Sequence, residues 1–190
     1  MTFLSDPQGY TQKEFSDFVK TLKWKVWKPR FVVLHNTFEP TLAQWIHNGL
    51  GYNDGHRRIC NLNHYYHSKG WHSGPTLFIA PDLIWNACDL EQDGVHCSCW
   101  NRISLGVEMV GDFSSEEFDS GNGAKVRDNT IAALAVLHNA LDLKPDNYAM
   151  GHHGLHFHHE CIKDHHGGCP GTNVSKEDVV KRILTAMEKL

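Results

Sequence analysis

Ile103-Ser-Leu-Gly-Val-Glu-Met-Val110 alternates residue by residue. In an extended chain Leu105, Val107 and Met109 fall on one side, and Ser104, Gly106 and Glu108 fall on the other. A period of two with one wholly apolar face predicts a strand laid on a core. Its second face carries a carboxylate beside small residues. Small neighbours leave room for a ligand, and a glutamate in that room can take a proton from water. The plainer alternative is a surface glutamate on the solvated side of the strand.

Outward from this strand, Phe31-Val-Val-Leu34 is a second short apolar run that delivers His35 at its C-terminal end. Thr76-Leu-Phe-Ile-Ala80 and Leu83-Ile-Trp85, split by Pro81-Asp82, predict a strand pair joined by a tight turn. Between the strands lie helical patterns. Thr11-Gln-Lys-Glu14 is a capping box ahead of Phe15, Phe18, Val19 and Leu22. Thr41 to Asn48 predicts a short helix stopped by Gly49, and Gly55 to Ser68 predicts a longer one resting on Ile59, Leu62 and Tyr66. After a polar, glycine-rich loop from Gly111 to Gly123, Asp128 or Asn129 caps a helix on Ile131, Leu134, Ala135 and Leu141. Ser175 caps a last helix on Val180, Ile183, Leu184 and Met187. Strands alternating with helices, and no repeats or linkers, predict an α/β fold. It is a single domain over residues 1–190, with a central mixed β-sheet flanked by helices.

Charge and composition narrow the function. Eighteen Lys+Arg against 22 Asp+Glu give a net charge of −4, with the basic residues scattered. This disfavours nucleic acid or an anionic membrane as the main partner. The longest apolar run, Ile131 to Leu137, is far too short to insert into a membrane. No basic and apolar leader opens the chain, so a cytoplasmic location is expected, with the six cysteines mostly reduced.

Histidine is the anomaly. Of fifteen in the chain, seven fall between His152 and His166, with Cys161 and Cys169 among or just after them. Gly167-Gly-Cys-Pro-Gly171 puts a thiol in a loop that can bend closely around an ion. Imidazole and thiolate are zinc ligands, and His35 on a stiff strand end suits the same role. Unliganded histidines on a solvated loop, and a core histidine at 35, are the alternatives.

Five segments, Val33-Leu-His35-Asn-Thr, Gly70-Trp-His-Ser-Gly-Pro-Thr-Leu-Phe-Ile79, Gly94-Val-His96, Ser104-Leu-Gly-Val-Glu108-Met-Val-Gly-Asp112 and Cys169-Pro-Gly171, occur in this order. Together they resemble the zinc-dependent N-acetylmuramoyl-L-alanine amidases that share a fold with peptidoglycan recognition proteins, above all the single-domain phage endolysins. The likeness spans about residues 12–188. It implies Zn2+ held by His35, a second histidine and Cys169. Phe157-His158-His-Glu160 matches the family segment that carries the second ligand, with His152 as the rival. Glu108 matches the catalytic acid/base.

Two departures are visible: Pro75 stands where many members have tyrosine, and Gly167 where many have lysine. The oxyanion donor must then be another residue, with His166 the first candidate and His165 and Lys163 behind it. Asn36, Trp71 and His96 are expected at the substrate cleft; His96 could instead join Cys97 and Cys99 in a second metal site. The resemblance implies a monomeric peptidoglycan hydrolase, an endolysin without a separate wall-binding domain. It would cleave the amide between N-acetylmuramic acid and L-alanine. A non-catalytic peptidoglycan-binding module and a Cys/His peptidase are the competing readings. Cys169 argues against the first, because non-catalytic members lack it. The second wants a thiol at a helix N-terminus.

Overall fold

In a computed structural model, residues 2–146, 153–164 and 167–190 are described. The strands are β1 (Phe3–Tyr10), β2 (Phe31–Asn36), β3 (Leu77–Ile79), β4 (Ile84–Cys88), β5 (Ser104–Met109) and β6 (Gly154–Phe157). The helices are α1 (Gln12–Thr21), α2 (Leu42–Ile46), α3 (Tyr52–Ser68), α4 (Gly121–Leu141) and α5 (Lys176–Met187). Among the described residues, one six-stranded mixed sheet runs in the order β1-β4-β3-β5-β2-β6. Strands β3, β5, β2 and β6 are parallel, and β4 is antiparallel to both β1 and β3. The expected α/β fold is the observed one.

Strand alternation decides what each face of the sheet meets. Val32, Leu34, Leu105, Val107, Leu155 and Phe157 enter the main core. That core also holds Phe15 of α1, Leu134 of α4 and Ile183 of α5. On the other face, Phe78 and Trp85 pack with Trp45 of α2 and Ile59 of α3. Phe31 and Val33 pack there with Cys97, Trp100 and Cys161. The second face is therefore covered in two patches, and the gap between them is where a site can open.

The capping box of α1 is present, with Thr11 accepting from the Glu14 amide and the Glu14 carboxylate accepting from Thr11 N at 2.8 Å. Three features differ from expectation. Strand β1 was not foreseen because Pro7 and Gly9 break its alternation; it is an edge strand with a register irregularity between Phe3 and Gln8, where proline is tolerated. Helix α4 begins at Gly121 rather than near Asp128. Gly123, which reads as loop, sits so close to the Glu117 carbonyl that a Cβ would lie 1.8 Å from it. That glycine is demanded by packing, not by a turn. On α5, Val179 is buried, whereas Leu184 turns 37% exposed. Among the described residues, no helix is long and apolar enough to cross a membrane.

Candidate active site

Parallel strands bring their C-terminal ends to one edge, where open α/β sheets place their sites. In register, His35 of β2 lies directly opposite Glu108 of β5, and Leu34 opposite Phe157 of β6. His158 follows one step beyond Phe157, in the turn that leaves β6, so three adjoining chain segments present His158, His35 and Glu108 at one level. The rings of His35 and His158 stand 4.3 Å apart between centroids. Cys169 reaches the same place on a loop tied down at both ends. His159 donates to the Cys169 carbonyl from its backbone N–H (3.1 Å) and from Nδ1 (2.8 Å). Gly171, at φ +115°, passes so near Phe113 that a Cβ would meet its backbone at 2.5 Å.

The ligand atoms of His35, His158 and Cys169 all lie within 4.8 Å of one another. A tetrahedral zinc ion spaces such atoms by ~3.5 Å, and two imidazoles with one thiolate are a zinc donor set that leaves a fourth position open. The residues fit the metal. They sit in a cleft of about 830 Å3 whose walls include Asn36, Tyr66, Trp71, His96 and Glu108. Asn36 also donates from Nδ2 to the Gly111 carbonyl at 3.2 Å, which ties the ends of β2 and β5 together. Trp71 stands 52% exposed at the cleft wall.

Burial sets the protonation of this cleft. It pushes the Glu108 carboxyl up to about 8, because desolvation disfavours the charged form. Burial, reinforced by the charge of Glu108, pushes the Cys169 thiol up to about 12. A thiol held protonated is a poor peptidase nucleophile, whereas cation binding is what removes its proton. Burial also brings His96 down to about 4, so its imidazole is neutral.

The room beside Glu108 is used differently from the sequence argument. A Cβ on Gly106 would strike His96 Cγ at 2.4 Å. The small residues of this strand face therefore receive the His96 ring. His96 turns to His35 (Nδ1 to Nε2, 3.0 Å) and away from the thiols. The sulfur group is instead Cys97, Cys99 and Cys161, all within 4.8 Å. Cys99 and Cys161 are joined in a disulfide, a pairing the expectation of mostly reduced thiols did not include, while Cys60, Cys88, Cys97 and Cys169 are free.

Of the other candidates, Lys163 is exposed and stands outside the lining of the cleft. His152, His165 and His166 lie outside the described residues. Two residues were missed by sequence reasoning. Tyr66, read only as packing on α3, forms part of the cleft wall, its phenol held protonated by burial and by the nearby Glu108. Asp164 accepts from His158 Nε2 at 3.1 Å and from Ser98 N at 2.8 Å. Burial opposes its ionisation, but bonds from Ser98 and His158 outweigh that and hold its carboxyl well below the usual carboxylate range. The one signal available for Asp164 was a carboxylate six residues after a candidate ligand.

Fold and cleft together define a class: an α/β domain with a His/His/Cys cluster and a glutamate on adjoining parallel strand ends. Residues 25–172 match the N-acetylmuramoyl-L-alanine amidase family, and the chain belongs to that family. A peptidoglycan-recognition protein 2 from Holotrichia diomphalia is 28% identical over 100 residues, covering 48% of this chain and 50% of that protein. The chain thus spans about half the length of that relative. Among solved structures, the N-acetylmuramoyl-L-alanine amidase LysC from Clostridium intestinale URNW is similar at a TM-score of 0.61 and 18% identity, covering 86% of this chain and 89% of that one. Drosophila PGRP-LB is similar at 0.59 and 18%, covering 79% of each. At such identities the likeness speaks for the fold.

Proposed function

We propose that this chain is a zinc-dependent N-acetylmuramoyl-L-alanine amidase that hydrolyses the amide between N-acetylmuramic acid and L-alanine of peptidoglycan. The observation that carries the reading is the convergence of His35, His158 and Cys169 beside Glu108 in one cleft. In this reading the three side chains hold zinc, which supplies Lewis acidity toward the scissile carbonyl and the attacking water.

The protein's own groups then handle the protons. Glu108 takes one from the attacking water and returns it to the leaving amine nitrogen, the work of a positioned acid/base. Desolvation in the cleft suits this role, because it raises the carboxyl's affinity for the water's proton. The carbonyl oxygen needs a donor as charge builds on it. Tyr66 is the candidate within the described cleft wall, and His166 is the candidate from the sequence. Asn36, Trp71 and His96 line the cleft that would receive the muramyl peptide. The finer reading is a monomeric phage endolysin, held in the host cytoplasm and acting on the wall after release. It is supported by the fold shared with an endolysin amidase, LysCS from Clostridium intestinale URNW.

The test is digestion of purified peptidoglycan. The expected products are free stem peptides with new L-alanine amino termini and no new reducing sugar ends. Glycosidases use a pair of carboxylates. New reducing ends without new amino groups would overturn the reading. Tight binding of intact wall with no cleavage at full zinc occupancy would favour a recognition module instead.

A further inference from the structure

The loop from Gly94 to Asn101 lies behind both histidines of the cluster, and we propose that it is a brace holding His35 and His158 with Nδ1 toward the metal. His96 acts directly in this brace on His35, and Ser98 acts on His158 through Asp164. The inference rests on the zinc reading above and concerns residues that do not themselves bind the ion.

The His35 side follows from donor and acceptor accounting. His96 Nε2 stands 3.3 Å from the Ser104 carbonyl and 3.3 Å from Ser104 Oγ. The carbonyl can only accept, and the Ser104 hydroxyl already donates to the Trp100 carbonyl at 2.9 Å. His96 Nε2 must therefore carry the proton. A neutral imidazole has one N–H, so His96 Nδ1 is an acceptor. Its partner at 3.0 Å, His35 Nε2, must then be the donor. The same rule applied to His35 puts the lone pair on Nδ1, the atom that coordinates.

The His158 side runs in parallel. The Asp164 carboxylate only accepts, so His158 Nε2 donates to it and Nδ1 again carries the lone pair. Asp164 is fixed in turn by Ser98, through the backbone N–H at 2.8 Å and through Oγ at 2.5 Å. The loop is itself clamped, because Asn101 Oδ1 accepts from both the His96 and Cys97 amides at 2.8 Å. Gly106 beneath it gives His96 the space to lie flat on β5. The Cys99–Cys161 disulfide joins the loop to the segment that carries His158 and Asp164. One loop thus sets the tautomer of two histidines, one on β2 and one in the turn after β6.

The experiment measures zinc affinity by competition with a chelator, using the full chain. Groups that orient metal-binding histidines typically contribute about 10–100-fold in metal affinity. Asp164→Ala and His96→Leu are expected to weaken zinc binding by this much. Asp164→Asn and His96→Gln, which keep a carbonyl acceptor, are expected to recover part of the loss. Ser98→Ala is the milder variant, removing one of the hydrogen bonds that hold Asp164, and is expected to lose a few-fold. It keeps the test decisive if a larger substitution fails to fold. Wild-type affinity in folded Asp164→Ala, His96→Leu and Ser98→Ala would overturn the brace while leaving the zinc reading standing. No zinc uptake by the wild-type chain would overturn the zinc reading and the brace with it.

Discussion

Glu108 sits opposite His35 on the neighbouring strand, partly buried in the cleft wall, and desolvation is what raises its carboxyl. Its pKa in the folded, metal-free protein is raised from the ordinary 4.5 to about 8. The folded state then holds this proton more tightly than the unfolded chain does. The resulting stability is fully present below about 4.5 and is lost as pH rises through about 8. Thermal unfolding of the metal-free wild type should therefore weaken over that interval relative to Glu108→Gln. Parallel pH curves would show that the carboxyl is not desolvated. Tyr66→Phe tests the oxyanion donor: a loss of about 10²–10³ in turnover with zinc retained is expected, and an unchanged rate would transfer the role to another residue. At this scale the sequence was informative where chemistry follows from a strand's own period, as at Glu108, or from a strand end, as at His35. For Asp164 it offered only a carboxylate six residues after a candidate ligand, and it was silent on what His96 touches, because those contacts exist only once the loop folds onto Gly106.

Elements meet in this protein through a few close approaches. Gly171→Ala should destabilise the Cys169 loop by about 1–3 kcal/mol from backbone strain alone, with the clash against Phe113 added, and denaturant titration will read it. No change in midpoint would mean that the loop can shift without cost. The disulfide closes a long segment, with a separation of 62 residues between Cys99 and Cys161. Chain-entropy reasoning gives about 4 kcal/mol for a loop of that length. Reductant should lower the wild-type midpoint toward that of Cys161→Ser and leave the variant unmoved; equal sensitivity of both would contradict the pairing. Helix α1 and strands β2 and β5 were legible because a cap or a period marks them locally. Strand β1 and the first turn of α4 were not. Pro7, Gly9, Gly121 and Gly123 are breakers by local rules, and only the edge position of β1 and the packing of Gly123 on Glu117 make them acceptable.

Across the whole molecule, the division of labour between sheet faces explains where the chemistry can be. One face is consumed by α1, α4 and α5 to make the core. The other is covered in two patches, and the cleft opens where neither reaches. This layout was legible as an α/β sheet with helices, since strand and helix periods alternate along the chain. The strand order was not, because nothing local in β2 or β6 says that they will be neighbours. That adjacency brings His158 beside His35. The central claim is that this cluster, with Glu108, performs amide hydrolysis. The most direct measurement is turnover of a muramyl-L-alanyl peptide by wild type and Glu108→Gln at equal, verified zinc occupancy. The account predicts that the variant folds, keeps its zinc and loses about 10²–10⁴ in turnover. Equal turnover by the two proteins, or none by the zinc-loaded wild type, would contradict it.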